Sequence, residues 1–299
     1  MGEDVIAALA IGFRANDKPV TVAAMPRIAI CAPSTPITHA DAARVTALAE
    51  AEFPDVELHF HPQCFQVEGH FAGPDALRLG ALLECANDPG FDAVWFARGG
   101  YGANRIAEAA VGQMNHAARG KTFFGYSDAG YLLGALYREK IGRPVHGPMP
   151  QDIRREGGEA AVRRALRYFT GDRTCLEPSL DQRPTVAFNM MTLAMLCGTP
   201  LMPGLAGHVV MVEEVCEHLY AVDRLFFHAT AHLGGIAGLR LGRVSEVPEN
   251  DRPFGASAED IARYWCERHA IPFLGEADIG HDAANRIVPF GLVTDRQRP

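Results

Sequence analysis

The stretch KTFFGYSDAGYL (121–132) runs an apolar segment into Gly125, then Tyr126, Ser127 and Asp128, then a helix-like segment. A serine at a strand-to-helix corner projects its Oγ from the sheet rim. The N–H groups that open the following helix point to the same spot, where negative charge develops on a carbonyl under attack. The usual corner is GxSxG, and here the second glycine, Gly130, comes one residue late. The corner alone therefore admits two readings, a nucleophile at Ser127 or a plain helix cap. A second loop, RGGYG (98–102), also follows an apolar run. Its bare backbone can approach a substrate and donate N–H bonds to an oxyanion or phosphate, or it is a tight turn. It contains no GxGxxG, so a dinucleotide is not its expected partner.

A serine hydroxyl needs a base, and the base needs an orienting group. Among twelve histidines, His281 stands in GEADIGHDAANR (275–286), a polar, glycine-flanked loop between two apolar runs. Glu213 closes the apolar run HVVMV, and strand geometry sends its neighbour Glu214 to the opposite face. The order Ser127, Glu213, His281 is one of the known orders of a serine triad.

These residues need elements to hold them. RIAICAP (27–33) is a continuous apolar run ended by proline, as in a buried parallel strand. A helix with Thr38 as N-cap follows, then a strand in VELHFHP (56–62) and a helix over 74–88. The pattern repeats with a strand at 93–97, a helix over 103–114, the strand of KTFFGYS, a helix over 129–140 and a short strand in RPVHGPM (143–149). This alternation predicts a flavodoxin-like, doubly wound parallel sheet of α/β class, with its sites at the carboxyl ends of the strands. Three loops fall there: 33–35, 98–102 and 125–128. QDIRREGGEAAVRRALRYFTG (151–171) reads as one charged amphipathic helix. The second half mixes a helix-like AFNMMTLAMLCGT (187–199), strands at HVVMVEE and GLRLGRVSEV, helices over 220–234 and 256–270, and strand-like runs on both sides of His281. It predicts an α+β domain with a barrel-like sheet. The domain reading is an N-terminal appendage over 1–25, a nucleophile-bearing domain over 26–170, a linker over 171–184 and a second domain over 185–299.

Composition narrows the partners. The 299 residues are 48% hydrophobic and 21% charged, enough for a sizeable core. A formal charge of −8 makes nucleic acid or an anionic membrane a poor partner. The cysteines, Cys31, Cys64, Cys85, Cys175, Cys197, Cys216 and Cys266, form no CxxC pair, so neither a disulfide framework nor structural zinc is expected. No metal and no other cofactor is expected. The start MGEDVIAALAIGF lacks a basic n-region, and the expected location is the cytoplasm.

Taken together, the motifs resemble the LD-carboxypeptidase family of serine peptidases, which includes the microcin C self-immunity peptidases. The resemblance runs from about residue 27 onward. It is carried by APSTP (32–36), ARGGYGANRI (97–106), FGYSD (124–128), HGPM (146–149), the CGT segment near 189–199, VEEVCEHLYAVDR (212–224) and the Gly280-His281 pair. The resemblance implies Ser127 as nucleophile, Glu213 as triad acid, His281 as base, and an oxyanion hole from the N–H groups of Asp128 and Gly100. It implies cleavage between an L-configured centre and a terminal D-Ala in murein tetrapeptides during cell-wall recycling, and a homodimer. The family pattern has a glycine before the asparagine of the second domain, where this chain has Ala187-Phe188-Asn189. An exopeptidase must hold a free carboxylate, and Arg98 and Arg286 are candidates by loop position. Two rivals remain: a microcin-type peptidase cutting a peptidyl or aminoacyl nucleotide, which needs a nucleobase shelf, and a non-catalytic ligand-binding module.

Overall fold

The computed structural model describes residues 25–292; the expected appendage over 1–25 lies outside them except for its last residue, Met25. In the first half, strands β1 (Arg27–Cys31), β2 (Glu57–Phe60), β3 (Ala93–Phe96), β4 (Thr122–Gly125) and β5 (Arg143–His146) alternate with helices α1 (His39–Glu52), α2 (Asp75–Asn87), α3 (Ala103–Gln113) and α4 (Gly130–Glu139). α5 (Gly158–Phe169) follows β5. The apolar runs were long enough to fix the strands because helices cover both faces. Every residue of β3 is buried, Trp95 included. Thr38 caps α1 as expected, accepting from the Asp41 N–H while Asp41 reaches back to the Thr38 N–H at 2.7 Å.

These five strands are mutually parallel in the order β5-β4-β3-β1-β2. The order reverses between β1 and β3, so a crevice opens at their carboxyl ends, where the 33–35 and 98–102 loops meet.

The second half contains β6 (Thr185–Asn189), α6 (Met190–Leu196), β7 (Val209–Val215), α7 (Leu219–His232), β8 (Gly238–Ser245), α8 (Ala258–Arg268) and β9 (Phe273–Glu276). Its four strands are parallel and lie in sequence order. The α/β class holds throughout, but where a barrel-like α+β sheet was expected this sheet is open and parallel, each crossover being made by a helix. The last three residues of β6, 187–189, were expected to start a helix. Its apolar run Val186, Ala187, Phe188 is too short to tell strand from helix by periodicity. Asn189 ends it by capping α6.

The chain then returns. β10 (Val288–Pro289) pairs antiparallel with β5 and becomes the edge of the first sheet. Just beyond it, Gly291 exchanges backbone hydrogen bonds of 2.8 and 3.0 Å with Thr185 of β6. The two sheets are thus stitched through one short segment. The stretch read as a linker is pinned as well: Cys175, Leu176 and Glu177 are buried, and the Glu177 N–H donates to Ile287 O at 3.0 Å. Among the described residues, no helix is long and apolar enough to cross a membrane.

Candidate active site

Ser127 leaves β4 at a φ of 61°, a left-handed conformation that a side-chain-bearing residue adopts only when its surroundings impose it. The imposing neighbour is the glycine loop. A Cβ on Gly99 would sit 2.9 Å from Ser127 Cβ and 3.0 Å from its Oγ, so only glycine lets the loop lie against the corner. The Gly99 carbonyl accepts from the Thr35 hydroxyl at 2.6 Å. In a trans peptide the next N–H, that of Gly100, points the opposite way, so Thr35 sets its direction. Asp128 is buried and does structural work. Its carboxylate accepts from the Ser34 hydroxyl and, at 2.9 Å, from the Ala103 N–H that opens α3. It thereby clamps the loops after β1, β3 and β4 together. Burial raises its pKa, against the pull of those hydrogen bonds.

The strand alternation expected for the acid pair is observed. Glu213 is fully buried and faces the imidazole of His281, while Glu214 turns to the N-terminus of α6. There Glu214 accepts from Asn189 Nδ2 and the Met191 N–H, both at 2.8 Å. Burial raises the Glu214 pKa. Glu213 Oε2 lies 2.5 Å from His281 Nδ1, and Ser127 Oγ lies 2.9 Å from His281 Nε2. The carboxylate fixes the tautomer: Nδ1 carries the proton, and Nε2 is left to accept from the serine. Burial alone would push the imidazole pKa down, but the charge and hydrogen bond of Glu213 outweigh it, and the net shift is upward.

The site opens into a cleft of about 390 Å³ lined by Arg98, Gly99, Gly100, Tyr126, Ser127, Met149, Gln151, Asp152, Arg154, Arg155 and His281. A larger cavity of about 520 Å³, bordered by Glu177, Arg243, Phe273 and Asp278, contains none of Ser127, Glu213 and His281. Arg98 lines the cleft as expected. Arg286 does not: its Nε bonds Asp278 at 3.1 Å and it faces a separate pocket with Arg163, Arg164 and Arg167. Its carboxylate-binding role is therefore corrected, since loop position next to His281 did not translate into a shared cavity.

Sequence reasoning missed three contributors. Arg154 and Arg155 were read into a long helix, but Pro150 starts a short 3-10 turn (Pro150–Arg154) and Gly157, at φ 69°, delays the helix to Gly158. Both arginines consequently sit on the cleft wall. Tyr126 is buried between two imidazoles, with ring centroids 4.8 Å from His281 and 5.6 Å from His146. Its hydroxyl donates to Asp152 at 2.8 Å. Pro150 and the Gly157-Gly158 pair were the available signals for the broken helix.

Comparison with known proteins follows the same division. Residues 28–147 match the LD-carboxypeptidase N-terminal domain, and residues 184–295 match the LD-carboxypeptidase C-terminal domain. The chain belongs to the LD-carboxypeptidase family of peptidases. A putative carboxypeptidase of Streptomyces coelicolor is 29% identical over 294 residues, covering 92% of this chain and 91% of the relative. The murein tetrapeptide carboxypeptidase of Pseudomonas aeruginosa is 28% identical over 292 residues, covering 89% and 91%. The crystal structure of muramoyltetrapeptide carboxypeptidase from Oxalobacter formigenes superposes with a TM-score of 0.73 at 24% identity, over 89% of this chain and 92% of that one. The microcin C7 self-immunity protein MccF, in its wild-type apo state, gives 0.74 at 16% identity over 90% and 92%. At these identities both structures speak to the fold.

Proposed function

We propose that this chain is a serine carboxypeptidase that removes the terminal D-Ala from murein tetrapeptides, with Ser127, His281 and Glu213 as its triad. The observation that supports the triad most directly is the pair of contacts on one imidazole, 2.9 Å to the serine and 2.5 Å to the acid. Ser127 Oγ attacks the scissile carbonyl as His281 Nε2 takes its proton. The N–H groups of Asp128 and Gly100 receive the oxyanion; losing one such donor costs roughly 3 kcal/mol of barrier. The C–N bond breaks as His281 returns the proton to the departing amine, leaving an acyl ester on Ser127. Water, deprotonated by the same imidazole, then releases the acid product. Glu213 stabilises the imidazolium in both halves of the cycle. Because the imidazole must start neutral, activity rises with pH through a His281 pKa above the ordinary histidine value.

Arg98, half-buried on the glycine-loop side, supplies positive charge to the acyl portion, and murein peptides are rich in carboxylates. Support for the murein reading also comes from the Pseudomonas relative's name. A nucleotide substrate finds less support. Besides His281, Tyr126 is the one ring-bearing side chain in the cleft lining and it is buried, Trp95 is core, and Trp265 lies on α8. The test is incubation with murein tetrapeptide followed by mass spectrometry. Tripeptide plus free D-Ala is expected, and Ser127→Ala should bind tetrapeptide but release none. Intact tetrapeptide after prolonged incubation with active protein would overturn the murein assignment, and turnover by Ser127→Ala would overturn the triad.

A further inference from the structure

Resting on that reading, the mechanism itself restricts where the carboxylate of the departing residue can lie. Its amine receives a proton from His281, so the departing residue occupies the imidazole side of Ser127. A single carbon separates that amine from the carboxylate. The cation that holds it must therefore stand near His281 and away from the glycine loop.

The arginines sort themselves by what they already hold. Arg154 is committed to buried Asp41, with Nε on Oδ1 at 2.6 Å and Nη2 on the other oxygen. Together with Thr38 it holds that carboxyl at about 2, although burial alone would raise it. Arg98 is adjacent in sequence to Gly99 and gives Nη1 to Pro36 O at 3.1 Å, which places it on the glycine-loop side. Arg155 lines the same cleft and bonds Asp152 through Nε at 2.9 Å. Its outer Nη edge is bonded to no carboxylate among the described residues. Asp152 also holds the Tyr126 hydroxyl, and the Tyr126 ring lies against His281. This chain of contacts ties Arg155 to the imidazole side. Its charge is felt there, since it works against protonation of His281.

We propose that Arg155 holds the terminal carboxylate of the departing residue and so makes the enzyme an exopeptidase. A planar guanidinium edge matches a carboxylate in two parallel hydrogen bonds. The seated carboxylate also offsets the Arg155 charge beside His281, so the base strengthens when a substrate with a free terminus is in place.

The test compares two peptides with the full chain, one ending in D-Ala as the free acid and one ending in D-alaninamide. The unmodified enzyme should prefer the acid by about 100-fold in kcat/KM, the scale of a lost charged partner. Arg155→Met should bring the two within about threefold by loss on the acid alone. Arg155→Lys, which keeps the charge but not the fork, should fall between. In Arg155→Met the acid limb of the kcat/KM profile should move to higher pH, because a cation that opposed imidazole protonation is gone. Equal losses on both peptides with an unmoved limb would mean a purely structural role, and a retained acid preference in Arg155→Met would also overturn the assignment. If the unmodified enzyme cleaves neither peptide, the D-Ala carboxypeptidase reading fails, and this inference with it.

Discussion

Ser127 and His281 meet at 2.9 Å, yet the two regions that deliver them are built differently. The serine is held by its own neighbourhood in sequence and one glycine: a parallel strand, a residue at φ 61°, a helix beginning three residues later, and Gly99 packed on its Cβ. The histidine sits in a segment with no regular structure and is held by side chains from far away in the chain. Asn285 Oδ1 accepts the Gly280 N–H at 3.1 Å and faces His146 Nε2 at 3.2 Å. Arg164 of α5 donates to the carbonyls of Ala283 and Asn285 at 2.8 and 2.9 Å. Arg243 of β8 grips Asp282. A serine can thus be fixed by backbone conformation, whereas a histidine in a loop depends on a distributed set of tethers. The first arrangement fails abruptly when crowded, and the second loosens by degrees.

The sharpest way to break the contrast is Gly99→Ala. The added methyl would fall 2.9 Å from Ser127 Cβ, so the corner must shift, and a displacement of that kind costs on the order of 100-fold or more in kcat. Steady-state kinetics with thermal melting checks it; full activity would show that the corner is softer than its backbone implies. Asn285→Ala comes next. It removes one of several tethers, and a drop of about 10-fold in kcat with little change in KM is expected. A loss as large as that from Gly99→Ala would mean that the loop, too, hangs on a single contact.

The remaining expected effect is on stability and leaves the reacting geometry in place; it concerns His146, which joins β5 to the His281 loop. Burial pushes its pKa down to about 4, so it is neutral in the folded protein. The folded value lies below the unfolded one. The associated stability is therefore complete above the ordinary histidine pKa and is lost as pH falls from there through about 4, amounting to about 3 kcal/mol. In His146→Gln the fall in Tm between neutral and acid pH should be shallower; an unchanged slope would remove His146 from the account of acid stability.

The same contrast explains what the sequence made legible. Ser127, the Thr38 cap, the buried Trp95 and the opposed faces of Glu213 and Glu214 all follow from short-range periodicity and turn chemistry. His281 was reachable because a polar loop between two apolar runs stands out once a serine and an acid call for a base. Arg155, Tyr126 and Asp152 were not reachable this way. Their roles depend on the loop after β5 lying across the rim of β4, and local spacing made that loop look like part of a helix. Arg286 failed for the converse reason: five residues after His281, it points into another pocket and pairs with Asp278. The barrel-like expectation failed because short strands beside His281 gave no sign of which sheet β10 would join.

That last strand has a consequence for biosynthesis. The outer rim of the first sheet at β5 is completed only by Val288–Pro289, which lie beyond the histidine. While the ribosome is still making the second half, the sheet that carries Ser127 has a bare, unpaired border. The chain closes that border only three residues past Asn285, which tethers the histidine loop, so a molecule interrupted just ahead of Val288 carries that tether and still keeps an open template for aggregation.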